Sequence, residues 1–166
     1  MAILGAAGVT IKENAKLIKN LIEGFNYIAH TEVVVGITEE SNAAKENGVT
    51  NSQLLYLHEN GVPSHNIPPR PVLRPAIGQE DVRGKISKMM RDGFVAALVQ
   101  GNMDACAQCF DKAGMVGRDA CKNYIASGDK LAPNAPSTVA RKGSSKPLID
   151  TASMMNSITY AVRRKK

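Results

Sequence analysis

Glu80-Asp81-Val82-Arg83-Gly84-Lys85-Ile86-Ser87-Lys88-Met89-Met90-Arg91-Asp92-Gly93-Phe94-Val95-Ala96-Ala97-Leu98-Val99-Gln100 is the stretch on which the fold turns. Val82, Ile86, Met89, Met90, Phe94, Ala97 and Leu98 recur at helical steps along one side, and Arg83, Lys85, Lys88, Arg91 and Asp92 fall largely elsewhere. The acidic pair at the start and the later basic residues suit the helix dipole. Gly101-Asn102 is a break or kink, after which a second helical pattern runs from Met103 to Ile125 through Ala107, Phe110, Gly114, Gly117, Cys121 and Tyr124. Each interior glycine costs a helix about 1 kcal/mol relative to alanine. A close backbone approach by another element would explain their presence.

Outward from this helical region, the flanks supply the other layer. On the N-terminal side, Ile11, Ala15, Ile18, Leu21, Ile22, Phe25 and Ile28 mark one apolar face of a helix of about five turns. Glu32-Val33-Val34-Val35-Gly36-Ile37 follows and reads as a β-branched strand. On the C-terminal side, Ile158, Tyr160 and Val162 alternate with Thr159 and Ala161, the period of a half-buried strand. Thr50 and Gln53 form a capping box that opens a short helix through Leu54, Leu55, Leu57 and His58, stopped by Asn60-Gly61. Asp150 or Thr151 is placed to cap another short helix through Met154 and Met155.

Two segments resist regular structure. Pro63, Pro68, Pro69, Pro71 and Pro75 crowd the first, where fixed φ angles and missing donors argue against helix or central strand. The second, 129–147, is rich in Pro, Ser, Lys and Ala, with an edge strand expected around Thr138 to Arg141. The expected fold is α+β: a small, mainly antiparallel sheet including 32–37 and 157–163, packed against the long helical region 80–126 and the N-terminal helix. Two long extended loops, about 61–78 and 129–149, project from it. The chain reads as a single domain over 1–166 with a basic tail at 163–166.

Length and composition agree with one domain: 166 residues, 43% hydrophobic and 22% charged, enough to bury a core. Aromatics are only 4% and Trp is absent, so the core must be aliphatic. No apolar run approaches the roughly 20 residues of a membrane span, so no membrane partner is expected. The opening residues carry no basic residue before the apolar part, so a secretory signal is not expected. The formal net charge of +6 is unevenly placed. Residues 1–128 carry 13 basic and 13 acidic side chains, whereas 129–166 carry 8 and 2.

Chemical signatures are sparse. Cys106-x-x-Cys109 has redox or zinc spacing, and Cys121 could be a third ligand, but nothing completes a set of four. The three cysteines read as free, buried thiols, and no metal is expected. His30, His58 and His65 stand outside any Gly-x-Ser-x-Gly, His-Glu-x-x-His, Walker or Gly-x-Gly-x-x-Gly pattern. No catalytic residue and no cofactor are therefore expected, and His58-Glu59 reads as a polar anchor that hydrogen-bonds the following loop. The basic end suggests an alternative, a nucleic-acid-binding accessory protein, although it lacks interleaved aromatics. A hydrolytic enzyme is a further alternative.

Several segments together resemble the neck proteins of tailed bacteriophages, the head-tail joining and tail-completion proteins grouped with virion morphogenesis and minor tail Z-like families. They are Val33 to Ile37, Leu54 to Gly61 with His58-Glu59, and Ile67-Pro68-Pro69-Arg70-Pro71-Val72-Leu73-Arg74-Pro75-Ala76. After the helical region come Leu131-Ala132-Pro133, Ser137-Thr138, Arg141-Lys142, Lys146-Pro147-Leu148, Asp150-Thr151 and Ser157-Ile158-Thr159-Tyr160. Two positions depart from that pattern: Asn60, where an aromatic is frequent, and Ala152, where glycine is common.

The resemblance implies a non-enzymatic, ring-forming connector subunit of the virion neck, assembled in the host cytoplasm and seated between the portal side and the tail. It implies as partners other copies of the chain in a ring of six or twelve, portal- or adaptor-side neck proteins, and tail terminator, tube or sheath proteins, with non-specific contact to genomic DNA as a further possibility. Arg70, Arg74, Lys142 and Lys146 are the candidate interface charges, with His58 and Glu59 as the candidate loop anchor.

Overall fold

A computed structural model describes residues 11–42 and 48–165. Its elements are α1 (Ile11–Ala29), β1 (Thr31–Gly36), α2 (Asn51–Asn60), α3 (Leu73–Ile77), α4 (Glu80–Leu98), α5 (Met103–Ser127), α6 (Pro136–Lys142), α7 (Ser153–Ser157) and β2 (Thr159–Arg164). Short 3-10 turns occupy Glu39–Ser41 and Pro63–His65. The architecture is the expected α+β: packed helices around a two-stranded antiparallel sheet. None of the described helices is long and apolar enough to cross a membrane.

The centre is α5. The chain reverses after α4 at Gly101, where φ is 65°, and Asn102 Oδ1 caps α5 by accepting the Ala105 N–H at 2.9 Å. On one side of α5 lies the two-stranded sheet, with Val33 opposite Val162 and Val35 opposite Tyr160. The two glycines inside α5 are where it lands. A Cβ on Gly117 would sit 2.9 Å from Val35 Cγ2, and one on Gly114 would overlap the Tyr160 ring. The sheet therefore rests on the bare helix backbone, which is the close approach the sequence called for.

Apolar burial divides around α5. One cluster gathers Leu55, Val72, Ala76, Cys121, Tyr124, Ile125, Leu131, Met154 and Ile158. The other centres on Ala97, Cys106 and Phe110, flanked by Tyr27, Val33, Met90 and Val162. Phe110 meets Phe94 edge-on at 5.9 Å between ring centres and Tyr27 at 6.4 Å, so these three aromatics join α1, α4 and α5.

The two irregular segments differ from expectation in three respects. They do not project: Arg70, Val72, Ala76, Leu131 and Pro147 are all buried, because their apolar residues complete the first cluster. The first contains α3 despite its prolines. Pro75 is only the third helical residue, where an amide would lack an intrahelical acceptor in any case. Residues 138–141 form part of α6 instead of an edge strand, since Pro136 opens a helix at its first turn and Gly143, with φ of 67°, closes it. The capping box of α2 forms between Thr50 and Gln53. The start of α7 departs from expectation: its N-cap is Ala152, at φ 58°, and Thr151 Oγ1 contributes only a 3.4 Å contact from the Ser153 N–H.

Helix α1 crosses α4 antiparallel, with Gly24 against the Ala97 carbonyl and Asn20 against Gly101. Only one flank of its apolar arc is covered this way. Ile18, Ile22 and Phe25 remain 56%, 59% and 60% exposed.

Candidate functional site

Three of the six residues singled out in sequence, His58, Arg70 and Lys142, line a cleft of about 760 Å³ between the proline segment and the chain from Pro133 to Met154. Helix α2 forms its wall. Asn51 fixes that helix to α7 by donating from Nδ2 to Ser157 Oγ at 2.8 Å and Ser153 Oγ at 3.2 Å. At the other end of α2, Gly61 takes φ of 73° and turns the chain back.

Glu59 and His58 tie that returning segment down. The Glu59 carboxylate accepts the N–H groups of Val72 and Leu73 through Oε1, each at 2.8 Å, and so caps the start of α3. The His58 carbonyl accepts the Arg70 N–H at 2.6 Å. The Glu59 side chain and the His58 main chain thus tie residues 70–73 to the end of α2.

Arg70 points inward. Only 7% of it is exposed, and its Nε and Nη2 donate to the carbonyls of Ala132 and Pro133 at 2.7 and 2.8 Å. One guanidinium thus joins the two irregular segments. Burial lowers its pKa from the ordinary arginine value. Lys142 is half-buried on α6 and reaches the Lys146 carbonyl, and Lys146 reaches the Ala126 carbonyl at 3.2 Å. His58, Arg70 and Lys142 line the cleft, whereas Glu59, Arg74 and Lys146 do not. Arg74 is exposed on α3 and makes no ion pair among the described residues.

Two features escaped the sequence reading. Arg141, next to Lys142 on α6, also lines the cleft, and no pattern of spacing marks it apart from its neighbour. The second is the open stripe on α1. Ala15, Ile18, Ile22, Phe25 and Ala29 follow steps of three, four, three and four, a 3.5-residue seam inside the broader apolar arc, and all five are exposed. That narrower period was visible in the chain. Tyr56 and Leu57 on α2 are exposed as well, beside a shallow apolar depression that includes Val49.

The basic end is partly engaged by its own sheet. Arg163 pairs with Glu32 at 2.8 Å, and the Arg164 guanidinium lies 6.0 Å from the Tyr27 ring centre. Cys106 and Cys121 are buried and Cys109 half-buried, all three as free thiols. Burial pushes the Cys121 thiol up to about 12. Compared with known protein families, curated proteins and solved structures, the chain gives no match in any of the three.

Proposed function

We propose that the protein is a structural subunit of a tailed-phage virion, seated in the neck between the portal side and the tail, and that it works by assembling into a ring without a chemical step. The ordered sequence segments that resemble neck proteins support the virion part of this reading. The assembly part is carried by one observation, the uncovered seam of α1. Burying an isoleucine or phenylalanine side chain is worth roughly 1.5–3 kcal/mol, and Ile18, Ile22 and Phe25 leave most of that unrealised in a single chain. A contiguous row of such residues marks an interaction surface.

A ring needs two unlike patches that meet head to tail. The α1 seam is one; the exposed Tyr56 and Leu57 of α2 are a second, on a separate element. The irregular segments serve this reading as a rigid frame, because Arg70 and Glu59 hold them on the body of the molecule.

Native mass spectrometry of the chain, alone and mixed with the products of adjacent genes, tests the proposal. A defined multimer in either sample is expected, with six or twelve copies fitting the neck. Monomer alone in both samples overturns the assembly reading, and neighbouring genes unrelated to capsid or tail overturn the virion reading.

A further inference from the structure

We propose that the cleft between the proline segment and residues 133–154 is a docking site for an acidic peptide segment, with a carboxylate seated against the Arg70 guanidinium. No residue of the α1 seam lines this cleft, so its occupancy does not depend on whether that seam closes a ring.

Arg70 is almost wholly removed from solvent, yet both acceptors it holds are neutral carbonyls. Among the described residues no carboxylate lies within ion-pair distance of it. A buried cation lacking a counter-ion is costly, and burial does weaken its hold on the proton. The guanidinium carries five donors in a planar fork, of which Ala132 and Pro133 use two. Arg141 and Lys142 add positive charge to the same cleft, and Asp150 is the one acidic residue lining it. Positive side chains thus outnumber negative ones around the cleft, and an anion is the ligand that balances them.

The shape and the remaining lining choose among anions. A volume of about 760 Å³ far exceeds one phosphate or acetate and lies in the range of sites that enclose a larger ligand. Leu54 and Leu148 contribute apolar surface between the charged groups. No Phe, Tyr or Trp lines the cleft, so apart from His58 and His65 it offers no aromatic ring on which the bases of single-stranded nucleic acid would stack. Extended peptide in which acidic and apolar side chains alternate satisfies both kinds of lining.

The test uses a fluorescein-labelled peptide that alternates glutamate with leucine, titrated into the full-length protein and followed by anisotropy and amide chemical shifts. Saturable binding is expected, at least tenfold stronger than for the matching glutamine–leucine peptide, with shifts clustered at residues lining the cleft. Arg70→Met should reduce binding at least tenfold; because it also removes a structural clamp, the paired surface change Arg141→Ser with Lys142→Ser supplies the independent check and should weaken binding several-fold in a folded protein. Equal binding of the two peptides, no binding of either, or shifts confined to α1 would overturn the proposal. So would inorganic phosphate displacing the peptide at equal concentration, which would mean a free-oxyanion site, or preferential binding of single-stranded DNA.

Discussion

Ala152 illustrates how much a single backbone angle asks of a sequence. Its φ of 58° lies in the left-handed region, where a Cβ crowds the following carbonyl oxygen at a cost of about 1–2 kcal/mol. Glycine carries no such penalty, although it gives back part of the gain through a more flexible unfolded chain. Ala152→Gly is therefore expected to stabilise the protein by about 0.5–1 kcal/mol, read from the urea midpoint. A loss of stability would show that the Ala152 methyl contributes packing that outweighs its backbone strain. Glu59 provides the opposite case, a side chain on which a whole segment depends. Glu59→Ala leaves the Val72 and Leu73 amides without their acceptor and should cost about 1–3 kcal/mol. Glu59→Gln keeps an oxygen in place and should recover part of that loss, so the two variants should rank in that order in thermal unfolding. Among the thiols, Cys121 is held protonated by burial up to about pH 12, and Cys106 is also raised by burial. In the native protein at pH 8, a thiol reagent should label half-buried Cys109 first, and Cys106 and Cys121 should react only on unfolding.

Among the elements, the contact between helix α5 and the sheet sets two glycine substitutions against each other. Gly84 lies exposed on α4, and a methyl there meets nothing, so Gly84→Ala should stabilise by up to about 1 kcal/mol through helix propensity alone. Gly114→Ala gains the same propensity but drives a methyl into the Tyr160 ring, and overpacking of this kind costs roughly 1–3 kcal/mol. Opposite signs in chemical denaturation are expected, and equal signs would mean that the sheet does not rest on α5 as described. This contact also shows what could be read in advance. Periodicity identified α1, α4, α5 and β2 because their faces repeat, a β-branched run identified β1, and the glycines inside α5 pointed to a partner. Neither α3 nor α6 carries a repeat long enough to register, and both depend on where a proline falls within the first turn. The inward turn of Arg70 was illegible for a related reason. Its acceptors are carbonyls of residues 132 and 133, and backbone acceptors leave no trace in side-chain composition.

For the molecule as a whole, the deciding question is what covers α1. A helix that packs one flank on α4 and leaves a 3.5-residue seam in water has its apolar arc only half used, and a second helix or another copy of the chain is the partner such a seam fits. Ile18→Lys with Ile22→Lys separates folding from assembly, because both side chains are already more than half exposed. Exposed substitutions of this kind usually change stability by about 0.5 kcal/mol or less, so the monomer should unfold at nearly the wild-type denaturant midpoint. Any multimer should vanish, since two lysines in the seam place like charges where apolar knobs would pack. Retained multimers in this variant would move the interface away from α1, to the Tyr56–Leu57 patch or the cleft. A collapse of monomer stability would show instead that α1 packs more closely on its own chain than the exposure of its seam implies.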